Sequence, residues 1–191
     1  NETFSYAIYL NNGMGQYSKG NASYMLARTA RYVLLDDFTG DGYPDLVQSV
    51  DLNNPRRHSF LLHVNNGAGG FNVDSASLNF STIYNLLTSK IFSSLDLDND
   101  GDQDIIGIGG GTADGRGQII YLNDGTGRFT HVTHIKSRSD NSDHAVQYAD
   151  FSGNGYMDIP RLLNDTLSIY ENKGNGVFEP YVANLFAYGC S

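Results

Sequence analysis

The chain has few of the residues that define several large protein classes. Tryptophan is absent, proline occurs four times, and the single cysteine, Cys190, cannot form a disulfide within the chain. A small disulfide scaffold is therefore excluded, and Cys190 is expected to be free or to pair with another chain. No apolar run approaches ~18 residues, so membrane insertion through an apolar helix is not expected. The sequence starts at Asn1 without a basic and then apolar segment, which leads us to expect a mature or trimmed product.

Basic residues are also scarce. Twelve Lys and Arg face 21 Asp and Glu, and the formal net charge is −9. Nucleic acid is therefore not expected as a partner, since phosphate binding requires clustered cations. The 191 residues include 40% hydrophobic residues, enough for one domain with a core. The 22 glycines, 13 tyrosines and 10 phenylalanines favour strands joined by tight turns.

Four Asn-x-Ser/Thr sequons favour a secreted or cell-surface glycoprotein over a coincidence of Asn-rich turns. The candidate glycosylation sites are Asn1, Asn21, Asn79 and Asn164.

A nine-residue motif occurs three times, as DFTGDGYPD at 37–45, DLDNDGDQD at 96–104 and DFSGNGYMD at 150–158. A second motif alternates with it, as LNNGMGQY at 10–17, VNNGAGGF at 64–71, LNDGTGRF at 122–129 and ENKGNGVF at 171–178. The second motif is typical of a hairpin turn that requires positive φ angles. The two motifs together define one repeat of about 50 to 60 residues.

Between the motifs, short apolar segments have the two-residue period of strands, and each repeat predicts a four-stranded antiparallel meander. The fold class predicted is all-β, with blades of the β-propeller type. The single domain 1–191 divides into a half-blade at 1–29 and blades at 31–82, 91–135 and 145–185. Residues 81–90 are expected to form a loop, with one helical turn as the alternative.

Propellers close with roughly four to eight blades, so about three and a half blades form an open arc. We expect either that the chain is part of a longer protein or that other chains complete the ring. Unpaired strands at the ends of such an arc favour self-association, as a closed ring or as a filament.

The nine-residue motif predicts three calcium sites. Oxygens at positions 1, 3, 5 and 9 and the carbonyl at position 7 would surround one cation, and hard oxygen ligands in a flexible loop suit calcium. An EF-hand is excluded, because position 12 is Gln48, Gly107 or Arg161 and never Glu. The loop at 150–158 should bind most weakly, since it has only two carboxylates among its ligands. The predicted ligands are Asp37, Thr39, Asp41, Tyr43 and Asp45; Asp96, Asp98, Asp100, Asp102 and Asp104; and Asp150, Ser152, Asn154, Tyr156 and Asp158.

With these motifs the sequence resembles the FG-GAP and VCBS repeat families, whose calcium-bearing blades form the propeller of integrin α subunits and of secreted adhesins and lectins. The stretches ADFSGNGYMDI and NKGNGVFEP also resemble fungal propeller lectins. The resemblance implies that calcium rigidifies the blades and performs no chemistry.

The sequence favours a non-catalytic protein. His131 and His134 have no matching serine or cysteine nucleophile motif, and Gly107–Gly111 lacks the Lys-Ser/Thr of a phosphate loop. The leading hypothesis is a secreted calcium-binding repeat module that acts in self-assembly or adhesion, with itself or another extracellular protein as partner. The alternatives are a calcium-dependent lectin that binds glycans and an accessory propeller of a larger extracellular enzyme.

Overall fold

A computed structural model describes residues 5–25, 32–51, 58–73, 90–109, 116–137, 148–163 and 166–185. The described residues form thirteen β-strands and no helix, so none of them belongs to a helix that could cross a membrane. The predicted all-β fold class is confirmed. The strands are β1 (Ser5–Asn11), β2 (Tyr17–Met25), β3 (Val33–Asp36), β4 (Asp45–Asp51), β5 (His58–Asn65), β6 (Phe71–Val73), β7 (Lys90–Leu95), β8 (Asp104–Gly109), β9 (Arg116–Asn123), β10 (Phe129–Ser137), β11 (Ile159–Leu163), β12 (Thr166–Asn172) and β13 (Phe178–Leu185).

Each strand pairs antiparallel with its neighbour in the chain, in four separate sheets. We call β1–β2 the half-blade, β3–β6 blade 1, β7–β10 blade 2 and β11–β13 blade 3. Blades 1 and 2 are four-stranded meanders, as predicted. In blade 3, the strand expected at 145–148 is not seen at Tyr148, and an isolated bridge between Ala149 and Asp158 precedes β11. Residues 145–147 and the loop expected at 81–90, apart from Lys90 at the start of β7, lie outside the described residues.

Blade 2 is buried on both faces, and its paired isoleucines explain why. Ile105 and Ile119 pack in a cluster with blade 1, whereas their neighbours Ile106 and Ile120 pack in a cluster with blade 3. Successive side chains of a strand point to opposite faces, so an Ile-Ile pair supplies both cores at once. Full burial of each such side chain contributes about 1.5–3 kcal/mol, and the blades are therefore held mainly through their faces.

The nine-residue motifs form the loops β3–β4 and β7–β8 and the loop before β11, and the Asn- and Gly-rich motifs form the turns β1–β2, β5–β6, β9–β10 and β12–β13. A hydrogen bond from Ser94 of blade 2 to Asp36 of blade 1, 2.5 Å long, joins the first strands of the two blades. The loops and the turns of neighbouring blades therefore meet along one edge of the stack.

Candidate metal centre

The loop at 96–104 is closed by hydrogen bonds from its own backbone to its aspartates. Asp96 Oδ2 accepts the N–H of Gly101 at 3.1 Å, and Asp100 Oδ1 accepts the N–H of Asp102 at 2.9 Å. The chain reverses through Asn99 and Gly101, whose φ angles of 61° and 96° are left-handed. Glycine and asparagine tolerate this region best, which is why the motif needs them there.

This closure brings three carboxylates together. Asp96, Asp98 and Asp104 each offer one oxygen, and these oxygens lie within 4.8 Å of one another. Asp96 Oδ1 and Asp98 Oδ1 are buried and have no hydrogen-bond partner among the residues that the structure describes. A buried carboxylate oxygen without a partner is costly, and a cation at the centre of the cluster would satisfy both oxygens. The donor set, carboxylates without sulfur or nitrogen, suits calcium.

The pKa values of the cluster also favour the binding of a cation. Burial raises the pKa of Asp104 to about 7. Burial, followed by repulsion from the Asp100 carboxylate, raises the pKa of Asp98. A raised pKa means that the protein environment disfavours the charged carboxylate, and a divalent cation would reverse this preference.

The loop at 37–45 repeats the scaffold of 96–104. Asp37, at position 1, accepts the N–H groups of Asp41 and Gly42 at 3.2 and 2.8 Å. At position 3, the hydroxyl of Thr39 donates to Asp45 at 3.0 Å.

The loop at 150–158 has the same closure. Asp150 accepts the N–H groups of Gly153, Asn154 and Gly155 at 2.7 to 3.0 Å. These bonds, with the one from Gly155 foremost, lower the pKa of Asp150. Ser152 Oγ, at position 3, is buried, and its hydroxyl interacts with the Asp150 carboxylate and helps to lower the pKa of Asp150.

The side chains at position 7 lie against the neighbouring turn of the same blade. Tyr43 packs against Gly67 and Tyr156 against Gly174, while Asp102 lies against Gly125. These side chains are therefore occupied elsewhere, which leaves the carbonyl as the ligand that position 7 would contribute. The ligand sets of all three loops, side chains and carbonyls, stay predictions.

The aspartate at position 9 has a second role that the sequence reasoning missed. Asp45, Asp104 and Asp158 are fully buried, and each accepts one backbone N–H from its own loop. The other carboxylate oxygen accepts, at 2.8 Å, the N–H of the asparagine that begins the turn of the same blade. Position 9 therefore fastens the loop to the turn whether or not a metal is bound.

The turn asparagines were not predicted as site residues, yet they connect neighbouring blades. Asn123 Nδ2 donates to the carbonyl of Phe38 in blade 1 at 2.9 Å, and to the carbonyl of Gln103 in its own blade at 3.2 Å. Asn172 Nδ2 repeats this with the carbonyls of Leu97 in blade 2 and Met157, at 2.7 and 3.2 Å. A sequence signal existed, because all four turns have asparagine here while the next position varies among Asn, Asp and Lys.

Most of the predicted modification sites lie outside the described residues. This applies to Asn1, Asn79, Asn164 and Cys190. Asn21 lies within β2, at a register shift between the pairs Ala7–Ser23 and Tyr9–Lys19.

Comparison with known proteins identifies the repeat that contains the cluster. The family described as FG-GAP-like repeat matches residues 96–159, from the first aspartate of the second loop to the start of β11. The expected resemblance to this family is therefore confirmed for that part of the chain. A search of the curated proteins finds no relative.

A solved structure shares the fold. It is that of a lectin of Agrocybe aegerita, described as specifically recognising non-reducing terminal N-acetylglucosamine. The superposition has a TM-score of 0.58 and covers 91% of this chain at 20% identity. The chain spans 44% of the length of the lectin, less than half. The likeness extends the shared fold beyond the FG-GAP-like repeat to nearly the whole chain.

Proposed function

We propose that this chain is an extracellular, calcium-stabilised repeat module that works by binding or assembly and has no catalytic role. The observation that carries the proposal is the cluster of Asp96, Asp98 and Asp104, with two buried oxygens that lack partners. The extracellular location is supported by the four sequons.

The hydrogen bonds suggest how a cation in this loop would stabilise the stack. Asp104 accepts the backbone N–H of Asn123, and the side chain of Asn123 donates to blade 1. A cation that holds the Asp104 carboxylate in its charged form therefore also strengthens the contact that positions Asn123. Binding to the folded chain alone raises the free energy of unfolding by mass action.

Calorimetric titration with calcium chloride, combined with thermal unfolding with and without a chelator, tests the proposal. We expect Asp98→Asn to weaken binding at this loop and to reduce the calcium-induced rise in Tm. Asp124→Asn is the matched control, because Asp124 is an exposed turn residue and Asn12 and Asn66 occupy the equivalent positions. A wild-type chain that releases no heat with calcium and melts identically in chelator would contradict the proposal.

A lectin is the second candidate, favoured by the fold that the chain shares with the fungal lectin. In this case the module would bind a glycan in a calcium-dependent manner. A glycan array that includes N-acetylglucosamine-terminated glycans, read with and without chelator, separates the two candidates. Glycan binding that chelator abolishes would favour the lectin, and an array without signal would favour assembly or adhesion through protein contacts.

A further inference from the structure

The two contacts between complete blades are built in the same way. At the contact of blades 1 and 2, Phe38 is fully buried, its carbonyl accepts the Asn123 amide, and its ring meets that of Phe129 edge-on at 5.7 Å. The residue at position 2 of one loop thus inserts against the turn of the following blade.

The contact of blades 2 and 3 repeats these elements. Leu97, also at position 2, is 1% exposed, and its carbonyl accepts the Asn172 amide. Phe178, which closes the turn of blade 3, packs against the cluster that contains Leu97. Each contact between blades therefore has two halves. The earlier blade contributes the position-2 residue of its loop, which we call the trailing half. The next blade contributes the asparagine and the aromatic residue of its turn, which we call the leading half.

Blade 3 presents a trailing half with nothing on it. Phe151 occupies position 2 of its loop and is 47% exposed, whereas Phe38 and Leu97 are buried. No residue within the described ranges donates a hydrogen bond to the Phe151 carbonyl. In the two internal contacts, the next turn covers the position-2 side chain, Phe38 or Leu97, and donates to its carbonyl.

The half-blade presents the complementary leading half. Tyr17, equivalent to Phe129, is 66% exposed. Asn11 Oδ1 accepts the N–H of Gly13, as turn formation requires, but its Nδ2 donates to no residue in the described part of the chain. A Cβ at Gly15 would meet nothing within 4 Å, whereas one at the equivalent Gly127 would meet Leu62 of the preceding blade.

We propose that the half-blade turn of one copy docks on the blade 3 loop of a second copy. Asn11 Nδ2 donates to the partner copy's Phe151 carbonyl, and Tyr17 covers the Phe151 ring, in the geometry of the two internal contacts. Two such contacts join two copies into a ring of eight blade positions, two of them filled by two-stranded half-blades, at the upper end of the roughly four to eight blades of closed propellers. The inference deepens the proposed assembly role and rests on it.

Sedimentation velocity of the calcium-loaded chain over about a hundredfold range of concentration tests the contact. We expect a reversible monomer–dimer equilibrium. Asn11→Asp keeps the turn-capping oxygen but removes the amide donor, and Phe151→Asp charges the exposed ring position. Each should raise the dissociation constant at least about tenfold, because each removes a central element of the contact.

Two matched controls separate the contact from general charge effects. Asn12→Asp adds the same charge one residue along, where blade 2 naturally has Asp124. Val177→Asp changes an exposed apolar residue of blade 3 whose equivalent in blade 2, Arg128, is exposed. Both variants should dimerise like the wild type, and loss of dimers in either would overturn the residue assignment.

Mixing the two disruptive variants gives the sharpest result. Asn11→Asp retains an intact Phe151, and Phe151→Asp retains an intact Asn11. The mixture should therefore form dimers through one good contact at concentrations at which neither variant alone does. A mixture that stays monomeric, a wild type that stays monomeric, or growth beyond the dimer would each overturn the proposed ring.

Failure of the contact is distinguishable from failure of calcium binding. Thermal unfolding of the same samples with and without chelator reports on the loops alone. A monomer whose Tm still rises with calcium would overturn the contact and leave the calcium sites supported.

Discussion

The loops at 96–104 and 150–158 have the same backbone closure but differ in charge at positions 3 and 5, which are aspartates in the first loop and Ser152 and Asn154 in the second. In both, the position-1 aspartate accepts backbone N–H groups of its own loop, and the position-9 aspartate joins loop and turn. Burial raises the pKa of Asp104, whereas hydrogen bonds from Gly155 and its neighbours lower the pKa of Asp150. The first and last aspartates and the glycines therefore encode the loop shape, and positions 3 and 5 set how strongly it requires a cation.

The largest effects should be equal in the two loops, because they arise from the shared scaffold. Asp104→Asn and Asp158→Asn each replace, on a fully buried side chain, one oxygen that accepts a backbone N–H by an amide donor. We expect each to lower the free energy of unfolding by about 3 kcal/mol, even in chelator. Urea denaturation in chelator measures this, and a loss confined to Asp104→Asn would show that the scaffold is not shared.

The next effect concerns the contacts between blades. Asn123→Asp and Asn172→Asp keep the oxygen of the side chain but place a carboxylate beside two backbone carbonyls. We expect each to cost about 2 kcal/mol. Asn65→Asp is the matched control, since Asn65 Nδ2 donates only to the exposed Pro44 carbonyl among the described residues, and should cost less. Equal costs at all three positions would mean that the contacts between blades contribute little.

Calcium affinity should differ between the loops and should follow the charge at position 3. Asp98→Ser should weaken binding at 96–104 about tenfold or more, and Ser152→Asp should strengthen binding at 150–158 by a similar factor, ~1.4 kcal/mol. Calorimetric titration measures the calcium affinity of each variant and of the double variant that carries both Asp98→Ser and Ser152→Asp. If the ranking of the loops stayed unchanged in the double variant, ligand charge would not be its cause.

The sequence predicted the parts of this comparison that local patterns encode. Alternating apolar residues located the strands, and Asp and Gly spacing located the loops, in one of which oxygens of Asp96, Asp98 and Asp104 lie within 4.8 Å of one another. It did not predict the contacts between Asn123 and Phe38 or between Asn172 and Leu97, which span 85 and 75 residues. Such pairings depend on how sheets stack, and no periodicity within one repeat contains that information.

The last effect is a pH dependence of opposite sign at Asp104 and Asp150. In chelator, the folded chain holds a proton on Asp104 up to a pKa of about 7, whereas the unfolded chain releases it near 3.8. The contribution of Asp104 to stability is therefore present below that lower value and is lost as pH rises toward about 7.

Asp150 has a lowered pKa, so its contribution is present at higher pH and is lost on acidification. Between pH ~4.5 and ~7.5 in chelator, the free energy of unfolding measured with urea should thus fall more, or rise less, with pH in the wild type and in Asp150→Asn than in Asp104→Asn. Saturating calcium should cancel this difference, because the cation holds Asp104 in its charged form and competes with the proton. The same pH dependence in Asp104→Asn as in the wild type would assign the titration to another group.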